Sequence, residues 1–151
     1  MGSIPERLKR ILALFDTVVD REERVMLLLD YAERYRPVPS SIASPPYPED
    51  RKIPYCESDA YVWMMQNPGG TITPHFAVEN PSGVSAKALA AILTEGLQGA
   101  TPEEAASVSE DIVERIFRQN ISMGKGMGLT AMVQRIATEA KAMSGKATTY
   151  G

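Results

Sequence analysis

Apolar residues recur at helical spacing over the first part of the chain. Leu8, Ile11, Leu12 and Phe15 fall on one stripe, and Val25, Leu28, Leu29, Ala32 and Tyr35 on a second. Ser3, Pro5 and Glu6 read as a capping box with proline in the first turn, and Asp20 with Glu23 repeats the signal. Two amphipathic helices are predicted, each with a face that needs a core to cover. The period changes after residue 59. Ala60-Tyr61-Val62-Trp63-Met64-Met65-Gln66 and Thr71-Ile72-Thr73 flank Asn67-Pro68-Gly69-Gly70, which puts Pro and Gly at the central positions of a type II turn. This predicts a β-hairpin, with a third strand at residues 75–79. Helical spacing returns from Val84 through Leu89, Ile92, Leu93 and Leu97, closed by Gly99. Thr101-Pro102-Glu103-Glu104 starts a short helix, Ile112, Ile116 and Phe117 mark another, and Leu129, Met132, Val133 and Ile136 mark a long final one. Helices, hairpin, then helices predict one α+β domain over residues 1–143. Its small antiparallel sheet, of about three strands, packs against several helices. Residues 144–151 are small and polar and are expected to form a flexible tail.

Between the patterned regions, residues 36–52 contain Pro37, Pro39, Pro45, Pro46 and Pro48, which exclude a helix and a central strand. An irregular stretch of this length is uncommon in a compact domain and often functional. Composition narrows the chemistry. The formal net charge of -3 speaks against nucleic acid as the main partner, since phosphate contacts want clustered Lys and Arg. No apolar run reaches the roughly 20 residues of a membrane span, and no signal-type apolar core follows the charged start. The opening MGSIPE has Glu6 where a myristoylation signal wants Ser or Thr. One cysteine excludes an internal disulfide and a thiolate-bound zinc or iron–sulfur site within one chain, so a reducing cytoplasm is the expected location.

Most candidate motifs have structural readings. Gly124, Gly126 and Gly128 around Lys125 lack the spacing and preceding strand of a phosphate loop, and a flexible helix start explains them. Ser122-Met123-Gly124-Lys125 spells Ser-x-x-Lys without its partner motifs. His75 has no second imidazole to share a metal, and the carboxylates stand mostly at helix starts, where capping accounts for them. Cys56 is different. It ends the proline-rich stretch and precedes the first strand, in Ile53-Pro54-Tyr55-Cys56-Glu57-Ser58-Asp59, where a thiol can reach a partner. Burial as a small hydrophobe and reactivity both remain open for it at this stage.

Taken in order, several short segments resemble the SufE family, the sulfur acceptors of cysteine desulfurases in iron–sulfur cluster assembly. They are Tyr55-Cys56-Glu57-Ser58 followed by Val62-Trp63, then His75-Phe76, Ala86-Lys87-Ala88-Leu89, Gly99-Ala100-Thr101-Pro102-Glu103-Glu104, and Gly128-Leu129-Thr130-Ala131-Met132. The resemblance spans about residues 5–142. Three departures stand out. Tyr55 replaces the usual Gly, with two extra residues between Cys56 and Val62-Trp63. Glu79-Asn80-Pro81-Ser82 replaces a Ser-Asp pair. Lys125 takes the place of an Arg, without that residue's bidentate fork.

The resemblance implies a SufE-like fold and a sulfur carrier. Cys56 would accept persulfide sulfur, stimulate the desulfurase and pass sulfur to a scaffold, with Lys125, Glu57, Ser58 and Ser82 supporting partner binding or transfer. It implies no cofactor and no metal of the chain's own; pyridoxal phosphate belongs to the partner. The implied partners are a SufS-like cysteine desulfurase and a SufBCD-type scaffold, with no nucleic acid or membrane, and the chain itself a monomer or weak homodimer. On this reading the chain is a sulfur-transfer partner and not an autonomous enzyme. The alternative is a thiol redox sensor or peroxidase using Cys56, which calls for a basic, exposed thiolate site. The proline-rich approach, with Tyr47, Tyr55 and Trp63 close to the thiol in sequence, is expected to shield the sulfur between encounters.

Overall fold

The alternating segment folds as a hairpin, and helices cover one of its faces. A computed structural model describes residues 3–150, with side chains for all of these but 123 and 145–150. Helices α1 (Glu6–Thr17) and α2 (Arg21–Arg34) lead to a single 3-10 turn (Glu49–Arg51) and two antiparallel strands, β1 (Ala60–Gln66) and β2 (Ile72–Val78). Helices α3 (Val84–Gly96), α4 (Pro102–Ala106), α5 (Ile112–Phe117) and α6 (Met123–Tyr150) follow. The architecture is α+β. Among the described residues, no helix is long and apolar enough to cross a membrane.

The hairpin turn has the predicted geometry: Gly69 has φ +93°, and Gly70 N–H donates to Asn67 O at 3.0 Å. The third strand does not form as a separate element, because residues 75–78 continue β2. Pro74 lies inside this continuous strand, in register with Met64. Its neighbours of the same parity turn their backbone groups away from β1. Ile72 N–H donates to Ala100 O at 2.9 Å, Phe76 O accepts from Val38 N–H at 2.8 Å, and Val78 N–H donates to the Tyr35 hydroxyl at 2.9 Å. The missing N–H of Pro74 falls on that outer side and costs the ladder nothing.

Strand residues alternate between two cores. Val62, Met64, Ile72 and Phe76 pack against the helices, where α3 is buried through Ala88, Leu89, Ala90, Ile92 and Leu93. Tyr61, Trp63 and Ala77 face the other way and are covered by Val38, Ile42, Ala43 and Tyr47 of the proline-rich stretch. Tyr47 lies 5.1 Å from the Tyr61 ring and 5.4 Å, edge-on, from Trp63. The proline-rich segment is therefore a strap over the sheet's outer face.

Two helix details correct the sequence reading. Ser3 forms no capping box: α1 begins at Glu6 with Pro5 as its cap and no side-chain cap bond. A helix starting at Ile4 would put the residue before a proline in the disfavoured α conformation. On α2, Asp20 caps as expected, accepting from Glu23 N–H at 3.0 Å, but the buried stripe is Arg24, Leu28 and Tyr31, leaving Val25 and Leu29 exposed. Arg24 causes the rotation. Its guanidinium, 2% exposed, donates to Phe15 O and Val18 O at the end of α1, and to Arg115 O and Ile116 O in α5. One cation thus serves two helix ends, where carbonyls lack intrahelical partners. Burial pulls Arg24 below the ordinary arginine pKa, and neighbouring Arg118 adds to this.

At the other end, α3 stops at Gly96, and Gly99 takes φ +77° in the turn beyond it. Thr101 and Glu104 complete the full capping box on α4. The tail expected at 144–151 coincides with the last turns of α6; its side chains from 145 onward and residue 151 lie outside the described residues.

Candidate functional site

Cys56 lies at the tip of a loop whose neck is tied. Ile53 N–H donates to Ala60 O at 2.8 Å, Lys52 bridges Tyr61, and the Lys52 ammonium pairs with Asp59 at 3.2 Å. The hydrogen bond that Lys52 donates to Asp59 holds its ammonium above the ordinary lysine pKa. Across the loop, Glu79 N–H donates to Asp59 O at 3.2 Å and Asn80 N–H to Ser58 O at 3.1 Å, so the far end of the hairpin grips it. On the approach side, Arg51 pairs with Glu139 of α6 at 3.0 Å, and Arg135 bonds Glu139 and the carbonyls of Asp50 and Lys52. The tip is held at both ends.

Tyr55, just before the thiol, has φ +61°, in the left-handed region that costs a residue with a β-carbon roughly 1–2 kcal/mol. This is the position at which the resemblance expects Gly. The backbone keeps the conformation that Gly favours, and the tyrosine ring is thrown outward, 70% exposed.

Gly128 makes the tip possible. A β-carbon there would lie 2.8 Å from Cys56 Cα and 2.8 Å from Tyr55 O, both backbone atoms that cannot swing aside. One turn earlier, the Glu57 carboxylate lies 3.7 Å from the corresponding point on Gly124, beside the first turn of α6. Glycines at i and i+4 thus leave a trough on α6 for residues 55–57, so this run is neither a phosphate loop nor merely a loose helix start. Replacing Gly128 by Ala is expected to lift the tip from α6 and speed iodoacetamide labelling of Cys56 about tenfold, as loss of about 1.4 kcal/mol of contact would give. Ala's helix propensity offsets part of the cost, so the melting temperature should hardly change. Unchanged labelling would mean the tip is not held by this contact.

Half-buried Cys56 opens onto a cavity of about 150 Å³. Glu57, Ser58, Ser82 and Lys125 line the same cavity, so all five residues singled out in the sequence meet there. Asn80, Ser85 and Gly128 line it too, and the sequence reading had assigned none of these to the site. Asn80 Oδ1 accepts from Ser82 N–H at 3.0 Å and from its hydroxyl at 2.8 Å, shaping the turn into α3. The start of α3, residues 83–86, forms one wall, with no side-chain cap on the helix. The partial positive charge of that helix end and the Lys125 ammonium, which has no ion pair among the described residues, both favour an anion in the cavity. Ser122 Oγ accepts from Lys125 N–H at 3.3 Å at the start of α6.

Tyr47 and Trp63 line no part of the cavity; both are committed to the strap, and Tyr55 points into solvent. The expected aromatic shield is replaced by the α3 start and the face of α6. His75 of β2 pairs with Trp63 of β1, also outside the cavity, and burial lowers its pKa. Among the described residues, no three His, Cys, Asp or Glu side chains converge to hold a metal.

The family model "SufE: Fe-S metabolism associated domain" matches residues 9–140. A solution structure of a hypothetical protein from Thermus thermophilus superposes with a TM-score of 0.72 at 26% identity, covering 94% of this chain and 98% of that one. No curated protein matches the chain.

Proposed function

The chain belongs to the SufE family of iron–sulfur metabolism, and from that premise we propose that Cys56 accepts sulfur from the persulfide of a cysteine desulfurase and passes it to an iron–sulfur scaffold of the SufBCD type. The observation that carries this reading is the single free thiol on a tethered loop tip, opening onto a small polar cavity.

The Cys56 thiolate attacks the outer sulfur of the donor persulfide. A bond forms between Cys56 Sγ and that sulfur, the donor's S–S bond breaks, and its electron pair leaves on the donor cysteine as a thiolate. Nothing is oxidised or reduced overall, and the reaction is kin to thiol–disulfide exchange. Lys125 and the start of α3 stabilise the anionic sulfur before and after transfer, while Ser58, Ser82 and Asn80 offer it hydrogen-bonding groups. Glu57 positions the tip from beside the first turn of α6, where Gly124 leaves it room. A carrier needs such shelter, because an exposed persulfide is stripped by other thiols.

The test is mass spectrometry of the chain after incubation with a pyridoxal-phosphate-dependent desulfurase and L-cysteine. One sulfur atom gained on the Cys56 peptide, with faster desulfurase turnover, is expected. Absence of both effects would overturn the reading, and a sulfenate formed by peroxide with thiol-dependent turnover would favour a redox role instead.

A further inference from the structure

Beside the Cys56 loop, α5 and α6 diverge and leave an open groove of about 860 Å³. Its floor and walls include Val113, Ile121, Met127, Thr130 and Ala131, and Met127 is 51% exposed. Gly126 and Ala131 on α6 are too small to fill the trough. The rim on the α5 side is acidic: Glu110, Asp111 and Glu114 line it, and Arg118 is the only cation among the lining residues. None of the three carboxylates is in a salt bridge among the described residues. The other end of the groove is Tyr55, the residue before the thiol, whose ring is 70% exposed. The groove is therefore continuous with the Cys56 tip, but it is a separate surface from the polar cavity.

We infer that this groove docks the sulfur donor, through a segment that pairs apolar side chains with lysine or arginine. The inference rests on the proposed function and adds the surface and chemistry of recognition. Two observations select the occupant. The apolar trough ends one residue from the thiol, so a segment seated in it brings its neighbouring cysteine to Cys56. Glu110 accepts from Gln134 Nε2 and Asp111 lies within electrostatic reach of Arg115, but the rim keeps an excess of negative charge that repels an acidic partner and favours a cationic one. A second copy of this chain fits less well, because its own groove rim carries the same negative charge.

The experiment titrates a purified pyridoxal-phosphate-dependent cysteine desulfurase with wild-type chain and with the E110K/E114K and M127D variants, at low and moderate salt. A control, E22K/E33K, makes the same change of charge on exposed positions of α2. Groove variants are expected to need at least tenfold more protein for half-maximal stimulation, with the maximal rate retained. Their Cys56 should still take sulfur from an inorganic polysulfide at the wild-type rate. Salt should weaken the wild-type complex and spare the E110K/E114K complex. If wild type takes up desulfurase sulfur but the groove variants titrate like wild type and the control, the groove assignment is wrong and sulfur acceptance stands. If wild type takes up none, both fall. If sedimentation shows a wild-type dimer that E110K/E114K abolishes, the occupant is a second copy, and the donor assignment is overturned.

Discussion

A Cys56→Ser chain is expected to leave its desulfurase at the unstimulated rate and to carry no transferable sulfur. An alcohol oxygen cannot form the S–S bond on which the transfer depends, so the loss should be complete. Stability should change little, by less than about 1 kcal/mol, or roughly 2–4 °C in melting temperature. Cys56 is only half-buried, and Ser58, Ser82, Ser85 and Asn80 around its cavity make a hydroxyl at home there. Desulfurase assays and thermal melts on the same preparation separate the outcomes. Wild-type stimulation would remove Cys56 from the chemistry. A collapsed melting transition would make it a packing residue.

The largest stability effect is expected at Arg24. Arg24→Met keeps most of the side chain's bulk but withdraws donors from Phe15 O, Val18 O, Arg115 O and Ile116 O. Hydrogen bonds to charged groups contribute about 1.5–3 kcal/mol each, but these four share one cation, and Phe15 O also accepts from Val18 N–H. Desolvation of the guanidinium offsets part of the sum. A net loss of about 3 kcal/mol remains, or about 6–12 °C in melting temperature for a chain of this size. Arg24→Lys should recover only part, since an ammonium cannot span two helix ends with a planar fork. A denaturant melt of Arg24→Met within about 0.5 kcal/mol of wild type would show that the carbonyls find other donors. Stability and sulfur transfer should also separate, because Arg24 is absent from the lining of both the cavity and the groove.

What was legible in the sequence was local. Hairpin turn, α4 capping box and helical stripes each depend on residues within about ten positions, and they appear as read, apart from the α1 cap and the rotated stripe of α2. Cys56 was also legible, because it is the only cysteine and sits where a loop meets a strand. What could not be read depends on distant segments meeting. Gly128 looked like one of three glycines in a helix start until Cys56 Cα arrived 2.8 Å from its missing β-carbon. The sequence around Cys56 shows no helix start, yet the turn at Asn80 aims that of α3 into its cavity. Nothing local marks Arg24 as buried, because carbonyls that bury it belong to residues 9 and 91 positions away. The proline-rich stretch was identified as special but assigned to the wrong neighbour. The bond from Val38 N–H to Phe76 O and the packing of Tyr47 on Tyr61 and Trp63 show that it belongs to the sheet.

The outward-facing backbone of β2 also limits how other proteins can hold this one. A two-stranded sheet ordinarily offers open edges to which a foreign strand can add, whether in recognition or in aggregation. Here Ala100, Val38 and the Tyr35 hydroxyl already occupy that edge, and Pro74 has no donor to offer. On the opposite side, Lys52 bridges Tyr61 and Arg51 reaches Val62 O. Backbone zippering along β2 is closed to a visitor. Recognition is left to side chains and loop tips, whose pairing depends on residue identity, and under the proposed function a sulfur carrier gains by meeting only the partners whose surfaces match.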